Sequence, residues 1–298
     1  MLDGKPVIVG LGEVLYDMLP DGRQLGGAPV NVACHACSLG ADGIPVSCVG
    51  SDDNGRDLRR DLKRLGMPVD YVSVSDDYPT GTVDIDLDDN GVPSYTIHRP
   101  VAWDALVWTR KLESLAQRTD AVCFGTLAQR EAQSRQVIRK FVISTGDACL
   151  RVYDVNLRQE DYCEEVVRLS LHISNVVKLN HEELPVILKF AGIDPDTPDP
   201  LRDLCRQWQL RTVALTRGGE GSTMVSGEAS VTESSRPVGI VDTVGAGDAF
   251  TAAMTLGLLN RHPLPVVNRA AARVAEYVCA QPGATPALPP DLVEKVWS

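Results

Sequence analysis

Short apolar runs alternate with amphipathic segments along most of this chain. The apolar runs are rich in Val, Ile and Leu and are short, which favours buried strands over buried helices. They lie at residues 7–11, 45–49, 121–124, 151–155, 176–179 and 212–215. The segments between them repeat apolar residues at the spacing of one helix face. They predict helices over about residues 29–39, 55–65, 131–144, 160–173, 182–190, 200–208, 249–259 and 265–280.

Strands that alternate with helices in this way are typical of βαβ units. The pattern predicts an α/β fold: a three-layer sandwich with a mainly parallel central sheet flanked by helices on both faces. No linker or internal repeat interrupts the chain, so we expect a single domain over residues 1–298.

Two stretches break the alternation. Residues 13–27 follow the first strand directly and contain a turn at Pro20-Asp21-Gly22, and residues 80–99 predict a hairpin with a turn at 88–91. A lone hairpin cannot bury its apolar face, so it needs a partner sheet. We expect residues of about 13–27 and 80–100 to form a small β-sheet lid over one end of the main sheet. A surface sheet or a homodimer contact is the alternative reading.

Composition narrows the class of protein. The 298 residues are 44% hydrophobic and 23% charged, as in an ordinary globular protein with a substantial core. The net charge of −11 argues against nucleic acid and anionic membranes as partners, although it does not exclude a nucleotide ligand. The chain shows neither a secretory signal pattern nor a run near 18 apolar residues, so we expect a cytoplasmic location.

Eight cysteines are scattered along the chain, and five of them fall within apolar runs: Cys34, Cys48, Cys123, Cys149 and Cys279. They predict small buried side chains in a reducing compartment. Cys34 and Cys37 form a C-x-x-C pattern without a second pair at zinc-site spacing, which favours helix packing over metal binding.

Residues 242–250 carry the strongest chemical signal. Gly245, Ala246 and Gly247 precede an apolar run that predicts a helix, and Asp248 follows at once. Small residues let a ligand approach the backbone, and the unpaired amides at a helix N-terminus attract anions such as phosphate. A carboxylate beside that position can accept a proton from an attacking hydroxyl. The segment therefore predicts a phosphoryl-transfer site, with a plain Gly-rich turn as the alternative.

Polar residues follow five of the predicted strands. They include Glu13, Asp17, Thr126, Asp154, Asn156, Arg158, Asn180, Glu183 and the segment 216–221. In open parallel sheets, ligands bind beyond the carboxyl ends of the strands, so we expect these residues to gather at one edge.

Five motifs occur in the order found in the ribokinase-like (PfkB) carbohydrate kinases, and the chain resembles that family from residue 10 to about 285. Residues 26–33 with Leu39-Gly40 resemble its first signature, and residues 242–250 resemble its second. Asn180 and Glu183 match N-x-x-E, and residues 216–221 resemble the nucleotide-binding turn. Residues 154–158 resemble the D-x-N-L-R of fructokinases in particular.

The resemblance implies an ATP-dependent kinase. Asp248 would be the base, and its ordinary pKa of about 4 would suffice because proton transfer comes late in a loose phosphoryl transfer. The amides of residues 245–247 would hold the transferring phosphate. Asn180 and Glu183 would order Mg²⁺ through its waters, and Thr216, Gly218 and Gly221 would line ATP. A helix-capping Asn180 and a plain turn at 218–221 are the structural alternatives.

On the acceptor side the family pattern implicates Asp17, Gly27 and Asn31. We add Arg158, Arg99 and Trp103 as candidates, although Arg158 could form a surface ion pair and Trp103 could belong to the core. Some family members bind a monovalent cation such as K⁺, for which the resemblance points to Asp242, Val244 and Gly283. A capped loop without an ion is the alternative there.

The substrate is the open question. D-fructose is the first choice because of residues 154–158 and the Gly12-Glu13…Asp17 opening. 2-Keto-3-deoxygluconate, other ketoses or sugar acids and a sugar phosphate remain open. Two other classes are kept as alternatives: a non-catalytic sugar- or nucleotide-binding protein, and a Rossmann oxidoreductase suggested by Gly10-Leu11-Gly12.

Overall fold

The computed structural model describes residues 4–19, 22–87, 93–159 and 161–297, and within them a nine-stranded sheet forms the centre of the molecule. The strands of the described residues are β1 Val7–Leu11, β2 Leu15–Leu19, β3 Gly22–Gly26, β4 Asp42–Gly50, β5 Val72–Ser75, β6 Gly81–Leu87, β7 Pro93–Ile97, β8 Ala121–Phe124, β9 Leu150–Asp154, β10 Val176–Asn180, β11 Thr212–Thr216, β12 Ser222–Ser226 and β13 Ala229–Glu233. The helices are α1 Ala28–Ser38, α2 Asp53–Arg64, α3 Arg110–Gln117, α4 Ala132–Ile143, α5 Glu164–Ile173, α6 Leu184–Ala191, α7 Pro200–Trp208, α8 Ala246–Leu259, α9 Leu264–Cys279 and α10 Pro290–Lys295.

The large sheet runs in the order β13-β12-β11-β10-β9-β8-β1-β4-β5. All neighbouring pairs from β11 to β5 are parallel, whereas β12 and β13, the last two strands at one side of the sheet, pair antiparallel. The carboxyl ends of the central strands therefore meet at one edge of the sheet, as the alternation of strands and helices predicts.

Two apolar layers cover the sheet. On β1, Ile8 packs with the side chains of α1, α8 and α9, whereas Val9 and Leu11 face a second cluster that includes residues from α3 to α7. Successive residues of a strand point to opposite faces, so one apolar strand supplies both layers. This arrangement confirms the predicted three-layer sandwich.

A second, four-stranded sheet has the order β3-β2-β6-β7. β2 and β6 pair in parallel, while β2–β3 and β6–β7 are antiparallel pairs. The two stretches that break the alternation thus do form one small sheet. The predicted turns around residues 20–21 and 88–91 lie outside the described residues, and the role of this sheet as a lid or homodimer contact stays a prediction.

All six predicted strands and all eight predicted helices are present, but several boundaries differ. β4 begins at Asp42 because its first residues pair with β1. α8 begins at Ala246 rather than at residue 249, since Gly245 adopts a left-handed conformation and caps the helix. The helix expected over 160–173 begins at Glu164. The pattern missed β5, β12, β13, α3 and α10, which are short or carry few apolar residues.

The cysteines are all free thiols, and four of the five expected in apolar runs are buried, whereas Cys279 is half-buried. Across the described residues, the helices are too short or too polar to cross a membrane.

Candidate active site

A cavity of about 530 Å³ lies at the carboxyl ends of the central strands, between the large sheet and the small one. The loop after β1, the start of α1, the segment after β9 and the start of α8 supply its polar walls. The small sheet supplies apolar side chains and one aromatic ring. The residues that line the cavity include Glu13, Leu15, Asp17, Gly27, Asn31, Val83, Ile85, Tyr95, Ile97, Asn156, Arg158, Gln159, Gly245, Gly247 and Asp248.

The N-terminus of α8 forms one end of this cavity. Gly245 has φ 78°, and a Cβ at this position would lie 2.1 Å from the carbonyl oxygen of Ala284. Only glycine fits both the conformation and this close approach of two backbones. The first-turn amides of α8 have no acceptor within the helix, so they can bind an anion in the cavity.

Asp248 is the carboxylate at this helix end. Its side chain is buried, and its Oδ2 accepts a hydrogen bond of 2.8 Å from Asn31 Nδ2. Burial and the charge of Asp154 raise the pKa of Asp248 to about 6, against the lowering effect of Asn31, Lys178 and Arg158. The expectation of an ordinary pKa near 4 is therefore wrong, because the side chain loses its water. A carboxylate with this pKa is a better base near neutral pH.

A buried ion pair lies behind the helix end. Lys178 Nζ is 3.1 Å from Asp154 Oδ1, and Thr251 on α8 donates to Asp154 Oδ2 at 2.7 Å. A Cβ on Gly247 would lie 3.0 Å from Lys178 Nζ, so the ammonium group contacts the first turn of α8. Burial disfavours the charged lysine, but Asp154, Glu183 and Asp248 outweigh it and raise the pKa of Lys178.

Sequence reasoning did not select Lys178 or Thr251 as site residues. A lysine inside the apolar run 176–179 was the available signal, because charged residues are rarely buried unless they are paired.

Two further carboxyl groups and an arginine line the cavity. Glu13 is 4% exposed, and burial raises its pKa to about 7, with the charge of Asp248 adding to the rise. Burial also raises the pKa of Asp17, and the positive charge of Arg158 lowers it. Asp17 and Arg158, both predicted on the acceptor side, therefore lie close enough to interact.

Gly27 and Asn31, which the resemblance implicates on the acceptor side, also line the cavity. Gly27 has φ 115° and caps α1, and a Cβ there would lie 2.5 Å from the carbonyl oxygen of Glu13. This close contact holds the start of α1 against the loop after β1. Asn31, one turn into the helix, then reaches Asp248 across the cavity.

The segment after β9 has an unusual backbone. Asn156 and Gln159 have φ values of 41° and 46°, in the left-handed region that non-glycine residues rarely adopt. Both line the cavity. Strained backbone of this kind clusters at ligand-binding sites, where the fold imposes it.

Three buried polar atoms of cavity-lining residues have no hydrogen-bond partner among the described residues: Glu13 Oε2, Asn31 Oδ1 and Asn156 Nδ2. A buried polar group without a partner costs about 1–3 kcal/mol, so such atoms mark a place for a ligand or water. Two acceptors and a donor in one cavity suit a molecule with several hydroxyl groups.

The cavity walls do not include two of the predicted acceptor residues. Trp103 is fully buried, with the Arg130 guanidinium 4.1 Å above its ring. The structure therefore supports the alternative that Trp103 belongs to the core. Arg99 pairs with Asp161 at 2.6 Å and is half exposed. The aromatic ring among the residues that line the cavity belongs to Tyr95 on β7. Sequence analysis does not select Tyr95, because it lies in a hairpin in which apolar and polar side chains alternate.

Two of the residues expected around the nucleotide, Asn180 and Thr216, end the neighbouring strands β10 and β11 and pair in register. Asn180 Oδ1 accepts from the amides of Glu182 and Glu183, so its side chain holds a turn. Glu183 accepts from the amides of Leu157 and Asn180 at 3.0 Å and 2.8 Å. This carboxylate joins the strained segment after β9 to the end of β10.

Thr216 ends β11, and Gly218 and Gly221 flank the short turn that follows. Gly218 has open space around it, while a Cβ on Gly221 would lie 2.0 Å from the carbonyl oxygen of Glu233. Packing against the end of β13 therefore requires glycine at 221.

Asp242 brings the three residues of the predicted cation site together. Its Oδ1 accepts from Val244 N at 2.9 Å and its Oδ2 accepts from Gly283 N at 3.1 Å. His35 on α1 contacts the same turn, with Nε2 2.9 Å from the carbonyl oxygen of Ala284. The arrangement fixes the loop before α8 whether or not an ion is bound.

The chain is similar to known proteins in both sequence and fold. A family model described as pfkB family carbohydrate kinase matches residues 21–291. A fructokinase from Salmonella typhimurium is 33% identical over 260 residues, which make up 83% of each chain. A sugar kinase from Pyrococcus horikoshii, solved in complex with ATP, is 25% identical with a TM-score of 0.81, covering 97% of this chain and 99% of its own.

The fold likeness extends further. The fructokinase of Vibrio cholerae O395, solved with fructose, ADP and a calcium ion, is 24% identical with a TM-score of 0.83. The match covers 99% of this chain and 100% of that one. The architecture is therefore shared over almost the whole length of the chain.

Proposed function

Because the chain belongs to the pfkB family of carbohydrate kinases, we propose that it transfers the γ-phosphoryl group of ATP to a hydroxyl group of a small neutral sugar, with D-fructose as the first candidate. That the chain is a sugar kinase follows from the family. The choice of fructose is supported by the Salmonella typhimurium fructokinase and by the segment 154–158.

The observation that carries the proposal is the position of Asp248. It lies in the first turn of α8, beside amides that can hold a phosphoryl group, and Asn31 fixes its carboxylate. In the proposed reaction Asp248 accepts the proton of the attacking sugar hydroxyl. The hydroxyl oxygen forms a bond to the γ-phosphorus as the bond to the bridging oxygen breaks, and ADP leaves. The amides of residues 245–247 stabilise the negative charge during transfer.

Lys178 also supports phosphoryl transfer at the N-terminus of α8. Its ammonium contacts Gly247 and is held by Asp154, so a fixed positive charge lies next to the proposed anion site. A charge that needs no reorganisation during the reaction is worth more in a buried site than in water.

The residues proposed for ATP and its metal fit those ligands in chemical type. Glu183 already accepts two backbone amides, and its remaining lone pairs can accept from waters on Mg²⁺, which keeps much of its hydration shell. When bound, Mg²⁺ neutralises charge on the phosphates. Asn180, Thr216, Gly218 and Gly221 would line ATP, and Asp242 with the carbonyls of Val244 and Gly283 would hold a monovalent cation such as K⁺.

The charge of the cavity favours a neutral acceptor over a sugar acid or a sugar phosphate. Glu13, Asp17 and Asp248 contribute carboxyl groups, against which Arg158 is the single positive side chain among the residues that line the cavity. Arg99, the second arginine considered for an anionic acceptor, is paired with Asp161. Asp17, Asn31 and Arg158 would hold sugar hydroxyls, and the apolar small sheet would cover the C–H face.

An ADP-release assay tests the proposal. Purified chain is given ATP and Mg²⁺ with fructose, other ketoses, 2-keto-3-deoxygluconate and other sugar acids, sugar phosphates or nucleosides. We expect the highest kcat/KM with fructose or another neutral ketose. A preference for a sugar acid or phosphate would contradict the choice of acceptor. Binding of ATP and sugar without any turnover would instead indicate a non-catalytic binding protein.

A further inference from the structure

The carboxyl group of Glu13 has no part in the reaction described above. Glu13 follows β1 and Gly12, lines the cavity and is 4% exposed. Its Oε2 is buried and has no hydrogen-bond partner within the described residues. The backbone amides of Glu13 and Ala28 lower its pKa, so the carboxyl group lies near the first turn of α1.

Those amides do not account for a glutamate at this position. A buried carboxyl group with a free oxygen is expensive, whereas a methionine or leucine could fill the same space without that cost. The free oxygen belongs to the same cavity as the unpartnered Asn31 Oδ1 and Asn156 Nδ2. The charges of Asp248 and Glu13 also interact, which brings Glu13 into the neighbourhood of the reacting hydroxyl.

We propose that Glu13 is a specificity-determining residue that hydrogen-bonds a second hydroxyl of the acceptor sugar, next to the hydroxyl that faces Asp248. This inference rests on the proposed function, because it assumes that a sugar occupies the cavity. A sugar carries neighbouring hydroxyl groups, each a donor and an acceptor, so one molecule can satisfy Asp248 and Glu13 together. A ligand that lacks the second hydroxyl would leave a buried carboxyl group unpaired, which disfavours its binding.

The ionisation of Glu13 adds a second, measurable property. Burial and the charge of Asp248 raise its pKa to about 7, against the lowering effect of the two amides and Arg158. Cys123 on β8 lies within the same electrostatic environment, and burial keeps the pKa of its thiol well above the ordinary value. Because the pKa values of Glu13 and Asp248 are both raised, both carboxyl groups lose their protons as the pH rises from 6 to 9. The repulsion between the two charges then weakens sugar binding.

The test compares Glu13→Leu and Glu13→Gln with the wild-type chain, using sugar titrations by calorimetry and KM measurements between pH 6 and 9. We expect Glu13→Leu to raise the sugar KM and Kd by about 10- to 100-fold at pH 6.5, the loss of one buried hydrogen bond, with the ATP KM unchanged. Glu13→Gln keeps a neutral donor and acceptor, so it should retain most of the affinity and lose the rise of sugar KM above pH 7.

Monodeoxy analogues of the accepted sugar identify the hydroxyl. The analogue that lacks the hydroxyl bound by Glu13 should bind poorly to the wild type. The Glu13→Leu substitution should not weaken the binding of that analogue any further. Asp120→Asn is the matched control: its carboxylate accepts from Val7 N at the opposite end of β1, and an amide oxygen can replace it. We expect this control to leave both KM values unchanged.

The outcomes separate the two proposals. If the wild type phosphorylates a sugar and Glu13→Leu binds that sugar equally well, the Glu13 inference is wrong. The inference is also wrong if sugar and ATP affinities fall together with a lower Tm, since that result indicates a structural role. If the wild type binds sugar without phosphorylating it and Glu13→Leu binds it weakly, the inference stands and the proposed function fails. If no sugar in the panel binds the wild type, both fail.

Discussion

Replacing Asp248 with Asn should separate activity from stability. Burial and the charge of Asp154 raise the pKa of Asp248 from 3.8 to about 6. A shift of about two units, at about 1.4 kcal/mol each, means that the ionised side chain costs the folded state about 3 kcal/mol. Because the folded pKa lies above the unfolded one, this cost is absent below pH 4 and grows as the pH rises through 6.

The Asp248→Asn variant has no charge to bury, and its amide oxygen can still accept from Asn31. We therefore expect its free energy of unfolding at pH 8 to exceed that of the wild type by about 3 kcal/mol, with no difference at pH 4. Loss of the base should lower kcat by about 10²- to 10⁴-fold.

Urea unfolding followed by circular dichroism at pH 4, 6 and 8, together with the ADP-release assay, measures both effects. Asp147→Asn, which removes an exposed carboxylate, is the control and should change neither stability nor kcat. An Asp248→Asn variant that is no more stable than the wild type at pH 8 would refute the argument from burial. A variant with full kcat would refute the role of Asp248 as the base.

Three further predictions follow from the contacts around this residue. Gly247→Ala inserts a methyl group 3.0 Å from Lys178 Nζ, beside the phosphate position. It should lower kcat by about 10²-fold while leaving Tm nearly unchanged, and an unaltered kcat would count against phosphate binding by the amides of residues 245–247. Lys178→Met leaves Asp154 buried without its partner and should cost about 3–5 kcal/mol in urea unfolding. The double variant with Asp154→Asn should regain most of the lost stability. A double variant as unstable as Lys178→Met would exclude the broken ion pair as the cause of the loss. Asp17→Ala should raise the sugar KM more than the ATP KM in steady-state kinetics, and equal rises would contradict its position on the acceptor side.

Much of the fold can be read from the sequence because the central strands are buried on both faces. β1, β8, β10 and β11 appear as continuous apolar runs, and the helices between them have clear amphipathic spacing. β12 and β13 could not be found in this way, since both are short and polar and β13 is exposed or half-exposed along its whole length.

The candidate site residues that sequence analysis selects are those marked by a local motif. Those that it misses reach the site only through the packing of distant parts of the chain. The adjacent small residues indicate a tight turn before a helix, which agrees with the left-handed Gly245, although α8 begins at Ala246 and not at the expected residue 249. The contact between Asn31 and Asp248 joins residues 217 positions apart; the local sequence pointed to Asp248, whereas only the resemblance pointed to Asn31. Lys178 lies in an apolar strand, and only the fold brings it against Gly247. The burial of Trp103 likewise depends on its packing beneath Arg130.

The pKa of Asp248 shows the same limit. Sequence gives the ordinary value of an aspartate, whereas the buried environment and the nearby Asp154 set the actual one. No local pattern encodes how much water a side chain loses on folding.

A crystal structure of the chain with a non-hydrolysable ATP analogue and the accepted sugar tests the central claim most directly. We predict that oxygens of the γ-phosphate lie within about 3 Å of the backbone amides of residues 245–247, and that one sugar hydroxyl lies at that distance from the Asp248 carboxylate. A γ-phosphate bound away from the start of α8, or a sugar with no hydroxyl near Asp248, would contradict the account.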